Sequence, residues 1–468
     1  MEPARDESMA EAAARPASRV HGPPRVGLVL SGGGARGAYE AGVLSVLFQE
    51  IYPQLPPGFE FDVVSGTSVG AIHAAYVAAT SHLPGASRAD AIVDTWRQME
   101  LGSVLRLSPL DLLGIPLRAL GLTRLRRRIG ASARRLADFA SREEPAALEA
   151  EAAGDDADGA GNADAVGGLV DLSPLERMVG DRIPWADLAA NLDRGQPGTL
   201  CVSCTEVRSG RVTVFMDGPL ADPAPWSYDP NAQAICGRIG PEHVRASAAI
   251  PFLFPAVRIG ARYYVDGGLR MNTPLAPALR LRCDRVLVIA LKHAPGQAAG
   301  LPTYPEDVIT QPAFLLGKVL NALMLDQLEY ELHRAELVNS WIARGTEVFG
   351  SDFLDRINTA VHAKRGVGYR HVAMQAIRPS EDVGRLAWRC YERTGVSNLG
   401  PLPALLARAA LRGVPRDEAD LLSYLYFDRC FTRELVEMGR ADARARRDDV
   451  LELLTGTPRE AHHAPTGE

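Results

Sequence analysis

Apolar and polar residues alternate along the chain in a pattern that predicts short strands and helices. Residues 25–30 form a β-rich apolar run that leads through three glycines into a helix-like stretch over residues 38–49. Residues 61–64 form a second apolar run, followed by a tight turn and a small-residue helix over residues 71–80. Two successive strand-turn-helix units predict a parallel sheet with helices on its faces.

The remainder of the chain adds strands and then long helices. The pattern predicts further strands over residues 200–207, 211–215, 262–265, 285–290 and 372–377, the first two joined in a hairpin. It predicts helices over residues 312–343 and 402–446, with an amphipathic stretch at residues 433–443. We therefore expect an α/β domain followed by a mainly helical C-terminal extension over residues 292–454.

Three segments lack the pattern of a folded core. Residues 1–24 form a polar leader that we expect to be disordered, and residues 455–468 form a frayed tail. Residues 118–135 carry seven arginines and no acidic residue, and residues 141–165 are acidic and rich in Ala and Gly. We interpret residues 118–168 as an Arg-rich segment and an acidic, disordered insertion. A solvated helix face explains the arginines better than a membrane-docking patch, which stays open as the alternative.

Composition and charge narrow the class of protein. The chain has 468 residues, of which 46% are hydrophobic and 23% charged, as in a globular protein. Its net charge of −6 gives no reason to expect a nucleic acid partner. The leader lacks the apolar core of a secretory signal, and no apolar run reaches the roughly 20 residues that span a bilayer. We expect a cytoplasmic protein, peripheral at most at the inner membrane face, although export without a cleavable signal would leave the same pattern.

The six cysteines are scattered, which favours a reducing compartment over a disulfide framework. Cys201 and Cys204 lie three residues apart on a predicted strand, so their side chains should face opposite sides of the sheet. No second pair of Cys or His completes a zinc site there. The sequence therefore predicts packing roles for both residues and no metal.

The first glycine-rich turn has two chemical interpretations. Residues 32–37 fit the G-x-G-x-x-G pattern of dinucleotide-binding folds. Such a fold requires an acidic residue at the end of the second strand, but that strand ends at Val64 and Ser65. We therefore predict no nucleotide cofactor. The amides of Gly32, Gly33 and Gly34 can instead hold an oxyanion.

The second turn predicts a nucleophile. Residues 66–70 read G-x-S-x-G between a strand and a helix, which is the setting of a nucleophile elbow. Gly66 and Gly70 supply the small neighbours that a sharp turn requires, and Ser68 stands at the start of the helix. A glycine-rich turn with a solvent-facing serine is the alternative.

A nucleophilic serine needs a group that accepts its proton, and two arrangements fit the sequence. Asp266 ends a predicted strand and precedes two glycines, although an ordinary Asp-Gly turn has the same pattern. A Ser-His-Asp triad would use His293, which follows the strand ending at residue 290. His73 is predicted to lie on a helix face. Arg36 either contacts a substrate phosphate or locks its loop to a carboxylate.

Three blocks of sequence resemble the patatin-like phospholipases. They are residues 30–44 with Ser-Gly-Gly-Gly-Ala-Arg-Gly, residues 65–72 with Gly-Thr-Ser-Val-Gly, and residues 263–274 with Asp-Gly-Gly. The resemblance covers residues 25–291, which we take as the catalytic domain, and includes residues 246–255. Short stretches near residues 325–330, 377–380 and 421–425 resemble the C-terminal extensions of bacterial members.

This resemblance implies a three-layer α/β/α fold with a mainly parallel central sheet. It implies Ser68 as nucleophile, Asp266 as the base of a Ser-Asp dyad without histidine, and Gly32, Gly33 and Gly34 as the oxyanion loop, with Arg36 beside them. The expected activity is cleavage of fatty acyl esters of phospholipids or lysophospholipids through an acyl-Ser68 intermediate, with transient membrane contact and no cofactor. A small-ester or thioester hydrolase on the same fold is one alternative. A non-enzymatic protein whose C-terminal helices bind a partner is another.

Overall fold

The computed structural model describes residues 23–99, 173–251, 254–293, 315, 327–395 and 419–456. The Arg-rich segment and acidic insertion that the sequence predicts over residues 118–168 lie outside these ranges. So do residues 1–22 of the predicted leader, residues 457–468 of the predicted tail and most of residues 294–326.

The described strands form one mixed sheet of nine strands, in the order β5-β4-β3-β2-β1-β8-β9, with β7 beside β3 and β6 beside β7. Their bounds are β1 Val26–Leu30, β2 Val63–Thr67, β3 Thr199–Glu206, β4 Val212–Asp217, β5 Ala232–Cys236, β6 Val257–Ile259, β7 Arg262–Asp266, β8 Arg285–Ile289 and β9 Ala373–Ile377. The central strands β3, β2, β1, β8 and β9 run parallel to one another. Strands β4 and β7 run antiparallel to β3. The expected mainly parallel α/β sheet is confirmed.

The helices cover both faces of this sheet. Their bounds are α1 Gly37–Val46, α2 Val69–Ala79, α3 Gly85–Arg97, α4 Ser173–Arg182, α5 Trp185–Asp193, α6 Pro241–Ser247, α7 Gly268–Met271, α8 Leu275–Arg280, α9 Gln327–Phe349, α10 Phe353–Arg365, α11 Val383–Thr394, α12 Asp420–Leu425, α13 Arg429–Ala445 and α14 Arg447–Thr455. Short 3-10 turns occur at Gly34–Arg36, Tyr52–Gln54 and Ala224–Trp226, and a π-turn at Leu47–Ile51 extends α1.

Two apolar clusters lie on opposite faces of the sheet, as a three-layer fold requires. In β1, Leu28 and Leu30 belong to the larger cluster and Val29 belongs to the smaller one. Because strand side chains alternate between faces, this split marks the two sides of the sheet. Cys204 lies in the larger cluster and Cys201 in the smaller, so these cysteines face opposite sides as predicted.

The C-terminal region is built into the same sheet and core. Strand β9 pairs with β8 along its whole length, from Arg285 beside Ala373 to Ile289 beside Ile377. Helix α13 packs so closely on α1 that a Cβ atom at Gly42 would stand 2.2 Å from the carbonyl oxygen of Val436. The described elements β9 and α13, which follow residue 292, therefore belong to the same sheet and core as the preceding strands and helices. Within the described ranges, none of the helices combines the length and apolar character needed to cross a membrane.

Candidate active site

Ser68 occupies a strained turn between β2 and α2. Its backbone has φ 55° and ψ −124°, a region that residues with a Cβ atom rarely adopt. The turn is tight on both sides: a Cβ atom at Gly66 would lie 2.1 Å from the Gly70 carbonyl oxygen, and one at Gly70 would lie 2.4 Å from the Leu30 carbonyl oxygen. These approaches explain why the motif needs glycine at both positions.

Strand β3 brings Asp266 next to this turn. Thr67, the last residue of β2, pairs with Ser203 of β3, and Asp266, the last residue of β7, pairs with the adjacent Cys204. The ends of β2 and β7 therefore meet on the same edge of β3. Gly267 allows the close approach, because a Cβ atom there would lie 2.2 Å from the Ser203 carbonyl oxygen.

The Asp266 carboxyl group is buried, with 1% of the residue exposed. Its Oδ1 accepts a hydrogen bond of 2.7 Å from the Gly268 amide, whereas Oδ2 has no hydrogen-bond partner among the described residues. Burial raises the pKa of Asp266 from its ordinary 3.8 to about 7, and the Gly268 amide and the Ser68 hydroxyl partly oppose that rise. The Ser68 hydroxyl is therefore close enough to the carboxyl group to influence its pKa.

Ser247 holds the turn that contains Ser68, a role that the sequence patterns did not indicate. The Ser68 amide donates to Ser247 Oγ at 2.9 Å, and Ser247 Oγ donates to the Ser203 carbonyl at 2.7 Å. The Asp266 amide donates to the Ala249 carbonyl at 2.9 Å. The segment from Ser247 to Ala249 therefore holds the backbone of both Ser68 and Asp266. The polar Ser247 between alanines was the signal that could have revealed it.

The oxyanion loop differs from expectation at Gly32. The Gly32 amide donates to the Asn272 carbonyl at 3.0 Å, and Asn272 Nδ2 donates back to the Gly32 carbonyl at 3.0 Å. The Gly32 amide is therefore engaged in holding the loop to Asn272, and its role toward an oxyanion stays a prediction. The amides of Gly33 and Gly34 donate no hydrogen bond within the described part of the chain. Gly34 lines the same cavity as Ser68.

Arg36 does not reach toward the cavity as a substrate contact would. The residue is 2% exposed, and its guanidinium donates to Asp420 Oδ1 at 2.9 Å and to Ser423 Oγ at 2.8 Å. Of the two roles that the sequence allowed, these contacts favour locking the loop to a carboxylate.

The two histidines named by the sequence differ in how their ring nitrogens are engaged. His293 Nδ1 is hydrogen-bonded to the Pro379 carbonyl at 2.8 Å. His73 lines the cavity, but Trp96 Nε1 donates to its Nε2 at 2.8 Å and its Nδ1 lies 2.7 Å from Glu40 Oε2. An indole only donates, so this Nε2 is the acceptor and Nδ1 carries the proton toward Glu40.

Ser68 opens into a cavity with mostly apolar walls. These walls come from α2, α3, α4, the loop after α6 and the segment around α12. The apolar lining residues are Val69, Ile72, Tyr76, Ile92, Trp96, Met99, Leu175, Met178, Ile183, Ala248, Ile250, Phe254, Tyr424, Leu425 and Phe427. Such a lining suits an extended hydrocarbon better than a polar ligand.

One group of potential metal ligands lies in the C-terminal region. Ligand atoms of Cys390, Cys430 and Glu434 lie within 4.8 Å of one another. The Arg393 guanidinium, however, contacts Cys390 Sγ at 3.7 Å and Glu434 Oε1 at 3.0 Å. The Arg393 guanidinium therefore already supplies a positive charge beside these groups, and we assign no metal to them.

Comparison with known proteins decides the family. The family model described as Patatin-like phospholipase matches residues 28–279, more than half of the chain. The chain belongs to the patatin-like phospholipase family. Membership supports lipid acyl hydrolysis in general, and the matched region of this patatin-like chain contains both Ser68 and Asp266.

Other comparisons add little detail. No curated protein matches the chain. Among solved structures, VipD from Legionella pneumophila is similar at 16% identity and a TM-score of 0.30, over 89% of this chain and 67% of that one. A similarity this loose carries no argument about the present patatin-like chain.

Proposed function

We propose that the protein is a serine lipid acyl hydrolase of the phospholipase A or lysophospholipase type. The observation that carries this proposal is the pairing of a strained Ser68 with a buried Asp266 at the end of an apolar cavity. A carboxylate with an unused oxygen is a suitable proton acceptor, and an apolar cavity is a suitable site for a fatty acyl chain.

In the proposed acylation, Ser68 Oγ attacks the carbonyl carbon of a fatty acyl ester and its proton passes to Asp266 Oδ2. The carbonyl oxygen becomes an oxyanion, which the Gly33 and Gly34 amides stabilise. The intermediate collapses when the ester C–O bond breaks and Asp266 returns the proton to the leaving alcohol.

Deacylation reverses these roles with water as the nucleophile. Asp266 accepts a proton from water, and the resulting hydroxide attacks the acyl-Ser68 carbonyl. The Ser68 oxygen then leaves with the proton from Asp266, and the fatty acid is released. Both ring nitrogens of His73 are engaged, and His293 Nδ1 is hydrogen-bonded to a backbone carbonyl and not to the carboxylate that a triad requires. Both arrangements support the dyad over a triad.

Substrates in a bilayer require contact with its surface. We propose that this contact is transient. The Arg-rich run over residues 118–135 lies outside the described residues, so its part in such contact stays a sequence prediction.

The proposal is tested by fatty-acid release from mixed phospholipid and lysophospholipid vesicles, followed by mass spectrometry. We expect release by the wild type and His293→Ala and none by Ser68→Ala or Asp266→Asn, with all four proteins folded. Loss in His293→Ala with survival in Asp266→Asn would replace the dyad by a triad. Cleavage of short esters or thioesters alone would favour the small-substrate hydrolase, and no cleavage at all would favour the non-enzymatic alternative.

A further inference from the structure

The oxyanion loop is held by a helix that lies outside the region matched by the family model. Arg36 closes this loop, and its guanidinium meets α12, 384 residues further along the chain. The Nη2 donor lies 2.9 Å from Asp420 Oδ1, and Nε lies 2.8 Å from Ser423 Oγ. Ser423 Oγ in turn donates to the backbone carbonyl of Asp420 at 2.6 Å, so the two residues that accept from Arg36 are themselves joined.

The backbone of α12 also packs directly against the loop. Gly34 has a φ of +56°, and a Cβ atom there would lie 2.4 Å from the Tyr424 carbonyl oxygen. The Arg36 guanidinium carbon stands 4.3 Å from the centre of the Tyr424 ring. Helix α12 thus contacts the loop by an ion pair, a hydroxyl, a carbonyl and an aromatic ring.

These contacts are buried and therefore hold the loop firmly. The Arg36 side chain is 3% exposed and that of Asp420 is 17% exposed. If the carboxylate is removed, the buried guanidinium is still shielded from water but has lost the acceptor that balanced its charge. The loop would then relax toward other acceptors, and the directions of the Gly33 and Gly34 amides would change with it.

We propose that Asp420 and Ser423 are positioning residues for acyl transfer. They hold Arg36, and through it the oxyanion loop, so that the Gly33 and Gly34 amides are already oriented when the oxyanion forms. This inference rests on the proposed function and extends it, because it makes the C-terminal region part of the catalytic apparatus. Preoriented donors lower the barrier to reaction and leave the binding of the acyl chain almost unchanged.

The test compares Asp420→Asn and Ser423→Ala with the matched control Asp442→Asn. Asp442 accepts a hydrogen bond from Tyr39 Oη at 3.0 Å, so it also joins the C-terminal region to the catalytic core, but through α1 and not through Arg36. Three quantities are measured: kcat and KM for a soluble p-nitrophenyl acyl ester, affinity for a trifluoromethyl ketone with the same chain, and affinity for the corresponding fatty acid. The ketone forms an adduct with serine that mimics the oxyanion, whereas the fatty acid reports on chain binding.

For Asp420→Asn we expect kcat to fall by about 10-fold to 100-fold with little change in KM. Affinity for the ketone should fall by a similar factor, while affinity for the fatty acid stays within about twofold of the wild type. Ser423→Ala should show a smaller loss of the same kind, and Asp420→Glu should recover part of the rate because it keeps the carboxylate. The control Asp442→Asn should leave the ratio of the two affinities unchanged.

Equal effects of Asp420→Asn and Asp442→Asn on that ratio would overturn the inference. So would a lower kcat with unchanged affinity for the ketone. If Asp420→Asn does not fold, Ser423→Ala decides, since it removes a single hydroxyl. An active wild type with unaffected variants would refute only the positioning role, whereas a wild type inactive on every ester would refute the proposed function as well.

Discussion

Asp266 is the residue whose ionisation should control the reaction. Its pKa is raised to about 7 by burial, and only the deprotonated carboxylate can accept the Ser68 proton. We predict that kcat/KM rises about tenfold per pH unit below a midpoint near pH 7 and levels off above it. The measurement is the initial rate of ester cleavage between pH 5 and 9, and a flat profile over that range would argue against Asp266 as the base.

The same shift predicts an effect on stability. A carboxyl group whose pKa is raised by folding lowers the free energy of unfolding when it is ionised. This cost is absent below the unfolded pKa of 3.8 and is largest above the folded pKa of about 7. Replacing Asp266 by Asn removes that cost, so the free energy of unfolding should increase by up to about 4 kcal/mol at pH 8. Urea unfolding at pH 8 and pH 4 measures it. A variant that is less stable than the wild type at pH 8 would show that the buried carboxylate does not lower the free energy of unfolding.

Sequence patterns predicted Ser68 and Asp266 as the reactive residues but did not predict how their neighbours are held. Ser68 and Asp266 stand in short motifs whose glycines have clear steric reasons in the structure. The engagement of the Gly32 amide by Asn272 and of Arg36 by Asp420 depends on contacts between residues hundreds of positions apart. Local patterns carry no information about such partners, so the sequence left the role of Arg36 open.

At the scale of elements, the contact between α1 and α13 depends on two glycines. A Cβ atom at Gly439 would stand 2.2 Å from the Tyr39 carbonyl oxygen, and one at Gly42 would meet the Val436 carbonyl equally closely. We predict that Gly439→Ala forces the helices apart and lowers the free energy of unfolding by about 2 kcal/mol or more. Chemical denaturation measures the loss.

Gly180→Ala is the matched control for that helix pair. Gly180 lies in α4 with nothing within 4 Å of the added Cβ atom, so alanine there should leave stability unchanged or raise it by up to about 1 kcal/mol. Similar losses in both variants would show that the close packing of α1 on α13 does not explain the result.

The predicted elements match the structure best where the apolar pattern is long. Strands β1, β2, β3, β8 and β9 were all expected, whereas the half-exposed β5 and the three-residue β6 were not. The helix predicted over residues 402–446 is interrupted after α12, and its residues 402–418 lie outside the described ranges. Asp428 begins α13 by accepting from the Cys430 amide at 2.8 Å, a capping signal that the amphipathic pattern obscured.

On the scale of the whole molecule, the patatin-like region depends on the residues that follow it. Strand β9 extends the sheet beside β8, and Leu386, Phe431, Leu435 and Val450 belong to the larger apolar cluster. A chain ending at residue 292 would expose that cluster although it keeps the whole family-matched region. We predict that it shows no cooperative thermal unfolding by circular dichroism. A truncated chain that unfolds cooperatively and cleaves esters would contradict this account.

An acyl-Ser68 intermediate would distinguish covalent acyl transfer from any other route to the released fatty acid, and rapid quenching can trap it. The wild type and Asp266→Asn are mixed with lysophospholipid, quenched in acid within seconds and digested for mass spectrometry of the peptide that contains Ser68. The account predicts a fatty acyl mass on Ser68 in the wild type and none in Asp266→Asn. Fatty-acid release without any adduct on Ser68, or an equal adduct in both proteins, would contradict it.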